Sequence, residues 1–264
     1  ILDASGKVIR TYKSDTSTKA KPDSNADESA RFRRGSVAPS RAAGLDHFTW
    51  DLHYEPATSF PGMILWGGDT QGPTAIPGRY TVRLVVDGHS FSQPIEVKRN
   101  PLYTDVTDAD LKAQFALALR IRDKLSSANQ AVIDIRSVRS QVDSLLKHND
   151  DATLKQLGDK LNADAAAIEQ SIYQVKNESG QDPLNFPIKI NNRIATLLST
   201  VDRGDGRPIG SAPAIFDYLS AKLKVQTDAL AKVWATDLEA FNARAQSLKT
   251  GVRVHLSTSA AGAE

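Results

Sequence analysis

TDADLKAQFALALRIRDKLSSANQAVIDIRSVRSQVDSLLK, residues 107–147, is the stretch from which the architecture of this chain is read. It contains neither Gly nor Pro. Thr107-Asp108-Ala109-Asp110 opens it with a helix-start pattern: Thr107 or Asp108 can accept from the first free N–H groups, and the acids complement the helix dipole. Leu111, Ala118, Ile121, Leu125, Ala128, Val132, Ile135, Val142 and Leu146 then fall on one stripe at heptad spacing. At a rise of ~1.5 Å per residue the helix is ~55 Å long. An apolar stripe of that length needs other helices to cover it. Arg139 lies on the stripe, which predicts partial burial against a carboxylate from a neighbouring helix.

Those helices follow in the sequence. Leu154, Leu157, Leu161, Ala165, Ile168, Ile172 and Val175 repeat at three and four residues. Ser179-Gly180 and Pro183 end that run. A shorter helix is predicted from about Pro187 through Ile194, Leu197, Leu198 and Val201. After a loop, Phe216, Leu219, Leu223, Leu230, Val233, Trp234, Leu238, Phe241 and Leu248 trace a fourth, stopped at Gly251. Residues 104–252 therefore read as an antiparallel four-helix bundle. The small, polar tail at 253–264 reads as disordered.

Upstream the period changes to two. Phe48, Trp50, Leu52 and Tyr54 alternate with polar residues, as do Tyr80, Val82, Leu84 and Val86. Asp87-Gly88 between the latter run and Phe91–Val97 is a hairpin signal, because both turn positions favour positive φ. Pro94 places the returning strand at an edge or at a bulge. Short strands with frequent turns over residues 1–103 predict an antiparallel β-sandwich. Residues 13–43, polar and poor in aromatic side chains, read as a mobile insert within it. The expected whole is a multidomain α and β chain, an immunoglobulin-like sandwich followed by an all-α bundle.

Composition narrows the function classes. The chain has 264 residues, 40% hydrophobic and 24% charged, with a formal net charge of +2 and no Cys. Thiol chemistry and disulfides are excluded. The near-neutral balance gives no reason to expect a nucleic-acid partner, and no apolar run reaches the ~20 residues of a membrane span. The opening Ile1-Leu2-Asp3-Ala4-Ser5-Gly6 reads like a strand entering a turn, which predicts a piece of a longer protein.

Catalytic motifs are missing. There is no Gly-x-Ser-x-Gly elbow and no phosphate-binding glycine loop. Asp202-Arg203-Gly204-Asp205-Gly206 departs from calcium-loop spacing, and a helix-ending turn accounts for it. His47, Asp51 and His53 share one side of a predicted strand and are the weak candidates for metal ligands, against the plainer reading of a solvated outer face. Asp46, Asp51, Glu55 and Asp69 are the carboxylates available for glycoside chemistry, and each fits a turn. Trp66, beside Gly67-Gly68, could stack on a sugar or close the end of a core; it is the weak ligand candidate. No residue set calls for a cofactor.

Ile-Leu-Asp-x-x-Gly-Lys-Val-Ile-Arg-Thr at 1–11, Ala43-Gly44-Leu45-Asp46-His47-Phe48-Thr49-Trp50-Asp51-Leu52 and Pro77-Gly78-Arg79-Tyr80-Thr81-Val82-Arg83-Leu84 resemble strands of the Ig-like domain of flagellar-hook-capping type. Together with Pro61-Gly62-Met63-Ile64-Leu65-Trp66, Val106-Thr107-Asp108-Ala109-Asp110-Leu111 and Leu117-Ala118-Leu119-Arg120-Ile121-Arg122-Asp123, they resemble the C-terminal region of bacterial BNR-repeat β-propeller proteins, often labelled glycosyl hydrolase or sortilin-like. The resemblance implies an exported parent, periplasmic or secreted, whose propeller precedes Ile1 and is a partner of this chain. It implies a non-catalytic binding or scaffolding module, with an accessory carbohydrate-binding part of a glycoside hydrolase and a fragment of a sortilin-like protein-binding receptor as alternatives. Protein or glycan is the implied ligand. The hydrolase label rests on fold analogy, which carries no chemistry.

Overall fold

The computed structural model describes residues 1–14, 39–40 and 43–257. Most of the mobile insert expected at 13–43 lies outside these residues. Two strands, β1 (Gly78–Val86) and β2 (His89–Val97), form an antiparallel hairpin. The helices are α1 (Asp108–Leu146), α2 (Ala152–Ile172), α3 (Ile190–Val201), α4 (Ala212–Val233) and α5 (Glu239–Ser247), the last two joined through a π-helical turn at Trp234–Leu238.

The helices form where the apolar stripes predict them. Thr107 caps α1: its hydroxyl accepts from the Asp110 N–H, and Asp110 accepts from the Thr107 N–H. Ala118, Ile121, Leu125, Val132, Ile135 and Val142 are wholly buried along α1. The N-terminal part of α1 packs with α3 and α4 around Ile194, Leu198, Phe216 and Leu223. Its C-terminal part packs with α2 and α5 around Leu154, Leu161, Phe241 and Ala245. Trp234, at the π-helical turn, touches both groups. Arg139, expected to meet a carboxylate, lies 3.2 Å from Glu169 of α2, which Arg136 approaches at 2.7 Å. Of the tail expected to be disordered, Val254 is buried and exchanges two hydrogen bonds of 2.9 Å with the Asn242 side chain. Residues 258–264 lie outside the described residues.

The expected β-sandwich is overturned. About half of the described residues are helical, and they hold a single two-stranded sheet, with isolated bridges at Leu2–Val8, Leu2–Thr81 and His53–Thr74. The alternation at 48–54 misleads because Leu52 has a φ of 63°, which breaks the extended backbone and leaves its side chain exposed. Phe48, Trp50 and Tyr54 are half-buried. Only a small core forms beside the hairpin, from Ile9, Ala75 and Tyr80, with Trp50 and Tyr54 packed against it.

Residues 55–76 are rich in Pro and Gly. They run as an extended strap across α1, α2 and α3. Buried polar backbone must be paired, and here distant helices supply the partners. The Thr58 N–H donates to Ser126 Oγ at 3.1 Å, and Asn129 Nδ2 donates to the Thr58 carbonyl at 2.7 Å. The Ile64 N–H donates to the Tyr173 hydroxyl at 3.1 Å. Asn192 holds Trp66 by both backbone groups, accepting its N–H at 2.7 Å and donating to its carbonyl at 2.8 Å. Ala57 and Phe60 enter the helical core, where Phe60 meets the Tyr173 ring edge-on and lies under the Arg136 guanidinium. Gly68 presses so close to α3 that a Cβ there would stand 2.6 Å from the Thr196 backbone nitrogen.

Candidate functional site

The strap delivers the chain to one end of the bundle, where the hairpin base, the end of α3 and the start of α1 converge. Asp202, at the C-terminal end of α3, accepts from the Thr74 N–H at 3.1 Å and from its hydroxyl at 3.0 Å. Gln114 of α1 donates from Nε2 to the carbonyls of Val201 and Gly204, each at 2.8 Å, covering acceptors that the helix end leaves open. The Tyr54 ring packs edge-on against Phe115 of α1, and Trp50 edge-on against Tyr80 of β1. Burial raises the pKa of both Tyr54 and Tyr80, as expected for phenols set in apolar surroundings. Tyr54 and Thr74, in the segment that runs beneath the hairpin, are thus held to the bundle through an aromatic pair and a partly buried carboxylate.

A cleft of about 220 Å³ remains at this junction, with Asp202, Gln114, Phe115 and Asp205 in its wall. Burial raises the pKa of Asp202, opposed by the hydrogen bonds from Thr74 and by His53. His53 Nδ1 stands 3.8 Å from the carboxylate but 2.7 Å from the Gly72 carbonyl. With its proton assigned to Nδ1, His53 donates to that carbonyl and leaves no close proton path to Asp202. Both groups are engaged in holding strap to helix.

The other candidates are dispersed. His47 and Asp51 are exposed. His47 Nε2 faces Thr49 Oγ1 at 3.4 Å, while Asp51 accepts from the His53 N–H and the Tyr12 hydroxyl. Among the described residues no group of three or more His, Cys, Asp or Glu side chains is placed to hold a metal ion. Asp46, Glu55 and Asp69 each accept from a nearby backbone N–H, of His47, Thr11 and Gln71. Trp66 is 39% exposed, its backbone fixed by Asn192 while part of its indole faces solvent.

What the residue-by-residue reading missed is the hairpin's outer half. Tyr80, Val82, Leu84 and Val86 share a face with their partners Ile95, Gln93, Phe91 and His89. At the base Tyr80 is buried and Ile95 packs against the small core. Toward the turn the same face leaves the core, with Leu84 54% and Phe91 61% exposed opposite one another. The alternation revealed the apolar face but not that its cover would stop halfway. Leu2 joins this sheet through two hydrogen bonds with Thr81, of 2.8 and 2.9 Å.

No protein-family model, curated protein or solved structure matches the chain. No helix of the described residues is long and apolar enough to cross a membrane.

Proposed function

We propose that this chain is a non-catalytic scaffolding module that presents its hairpin to a β-propeller joined ahead of Ile1 in an exported parent. The observation that carries this reading is the apolar face of Leu84, Val86 and Phe91 standing clear of the core. Contiguous exposed apolar surface marks a contact site. The bridge between Leu2 and Thr81, which ties the first residues of the chain to β1 of the same hairpin, supports this reading. The strap and the Asp202–Thr74 contact keep the hairpin from tumbling independently of the bundle.

The test is binding of this chain to the separately produced upstream part of its parent. Leu84→Glu with Phe91→Glu should leave the melting temperature of the chain unchanged and weaken that binding by at least about tenfold, equivalent to ~1.4 kcal/mol. Equal binding by the wild-type and doubly substituted chains would contradict the reading.

A second reading, an accessory carbohydrate contact, is favoured by Trp66 alone: a half-exposed indole on a backbone locked by Asn192 can stack on a sugar ring at little ordering cost. Binding in a glycan panel that is lost in Trp66→Ala would support it.

A further inference from the structure

A second groove, of about 410 Å³, lies between the end of α2, the start of α3 and the middle of α4. Lys189, Arg193 and Lys222 stand around it, and no carboxylate lines it. Among the described residues these three cations make no ion pair. The acids of α4 are engaged elsewhere, Asp217 with Arg120 at 3.9 Å and Asp228 with Lys224 at 2.7 Å. Helix α3 starts at this groove without a side-chain cap, so the positive end of its dipole adds to the same field. Beneath the cations the floor is apolar, from Ile190, Leu219 and Val225.

The floor continues beyond the groove. Ile215, Tyr218 and Val225 are 44%, 55% and 65% exposed, on one side of α4 with Lys222 between them. Ten residues of helix make this stripe ~15 Å long. Its length suits an extended amphipathic partner, and unopposed positive charge selects an acidic one.

We infer that the α2–α3–α4 groove is a docking site for an acidic amphipathic helix of a protein partner, whose apolar residues lie on Leu219, Val225 and Tyr218 and whose carboxylates meet Lys189, Arg193 and Lys222. The site shares no residue with the hairpin, so Leu84→Glu with Phe91→Glu leaves its lining intact and the two readings fail separately.

The test is fluorescence polarisation with the whole chain and a labelled peptide of about 14 residues, built from Leu and Glu with apolar residues at i, i+3, i+4 and i+7. The expected result is micromolar binding that weakens as salt rises, at least tenfold weaker in Lys189→Glu/Lys222→Glu and also weakened in Val225→Glu. Circular dichroism of each variant verifies that the helices are retained, and Lys222→Gln, the mildest change, should weaken binding severalfold if the double variant does not fold. The same peptide with Lys in place of Glu should not bind. Three results overturn the inference: affinity unchanged by the charge reversals, no binding of the acidic peptide at about 1 mM, or displacement of the peptide by dodecanoate or inorganic phosphate at equal or lower concentration, which would assign the groove to a small anion.

Discussion

Asp202 and Phe60 show, one residue at a time, how the strap is held. Asp202 has its carboxyl pKa raised by burial. The folded chain therefore binds that proton more tightly than the unfolded chain, and stability from this group increases as pH falls through the folded pKa towards the ordinary value of 3.8. Asp202→Asn keeps an acceptor for Thr74 and should remove this rise in an acid titration of the melting temperature. Asp202→Ala orphans the Thr74 donors and should cost about 1–3 kcal/mol. Asp110 has the opposite sign. The Arg207 guanidinium and the Thr107 hydroxyl hold its carboxyl down to about 2, so its contribution is complete above the ordinary 3.8 and is lost as pH falls towards 2. Phe60 is 8% exposed within the helical core. Phe60→Ala should cost ~3–5 kcal/mol in chemical denaturation, the cost of emptying a large aromatic site. A cost below ~1 kcal/mol would show that the strap rests loosely on the bundle.

At the scale of elements, the π-helical turn has a cause in the sequence. Leu223 and Leu230 are seven residues apart, close to two full turns, but the next wholly inward leucine, Leu238, comes eight later. At ~100° per residue the extra residue would rotate Leu238, Phe241 and Ala245 off the core face. The wide turn at Trp234–Leu238 absorbs it. Deleting Ala235 should therefore leave a continuous helix in register and lower the melting temperature less than deleting Ala221, which has no bulge to absorb the shift. Equal losses would refute this explanation. The skip from seven to eight was present in the sequence, as were the helices themselves, because each apolar stripe states its own period. The strap was not legible. Its residues have no period, and the groups that hold it, Ser126, Asn129, Tyr173, Asn192 and Asp202, are polar side chains on helices far along the chain. The sandwich was overread for a related reason: alternation at 48–54 reports local pattern, whereas a ladder needs a partner strand, and the backbone at Leu52 turns away. The candidate side chains His47, Asp51, His53 and Trp66 could be named from sequence, but their separation and the exposed half of the hairpin depend on packing that only the fold reveals.

At the scale of the molecule, the strap changes what the chain is able to do. A hairpin whose small core consists of Ile9, Ala75 and Tyr80, with the buried Leu2 paired at its edge, is too small to stand alone. Its order comes from the bundle, through Tyr54 on Phe115, Thr74 on Asp202, and the strap amides bound to three helices. The proposed presentation of Leu84 and Phe91 depends on that transmission. Native-state hydrogen exchange at the Ile64, Trp66 and Thr74 amides tests it most directly, since each donates to a side chain on the helical bundle. If strap and bundle form one cooperative unit, these amides exchange only through global unfolding, with the same free energy as the core of α1. Exchange at these sites near the unprotected rate, while α1 stays protected, would contradict the account.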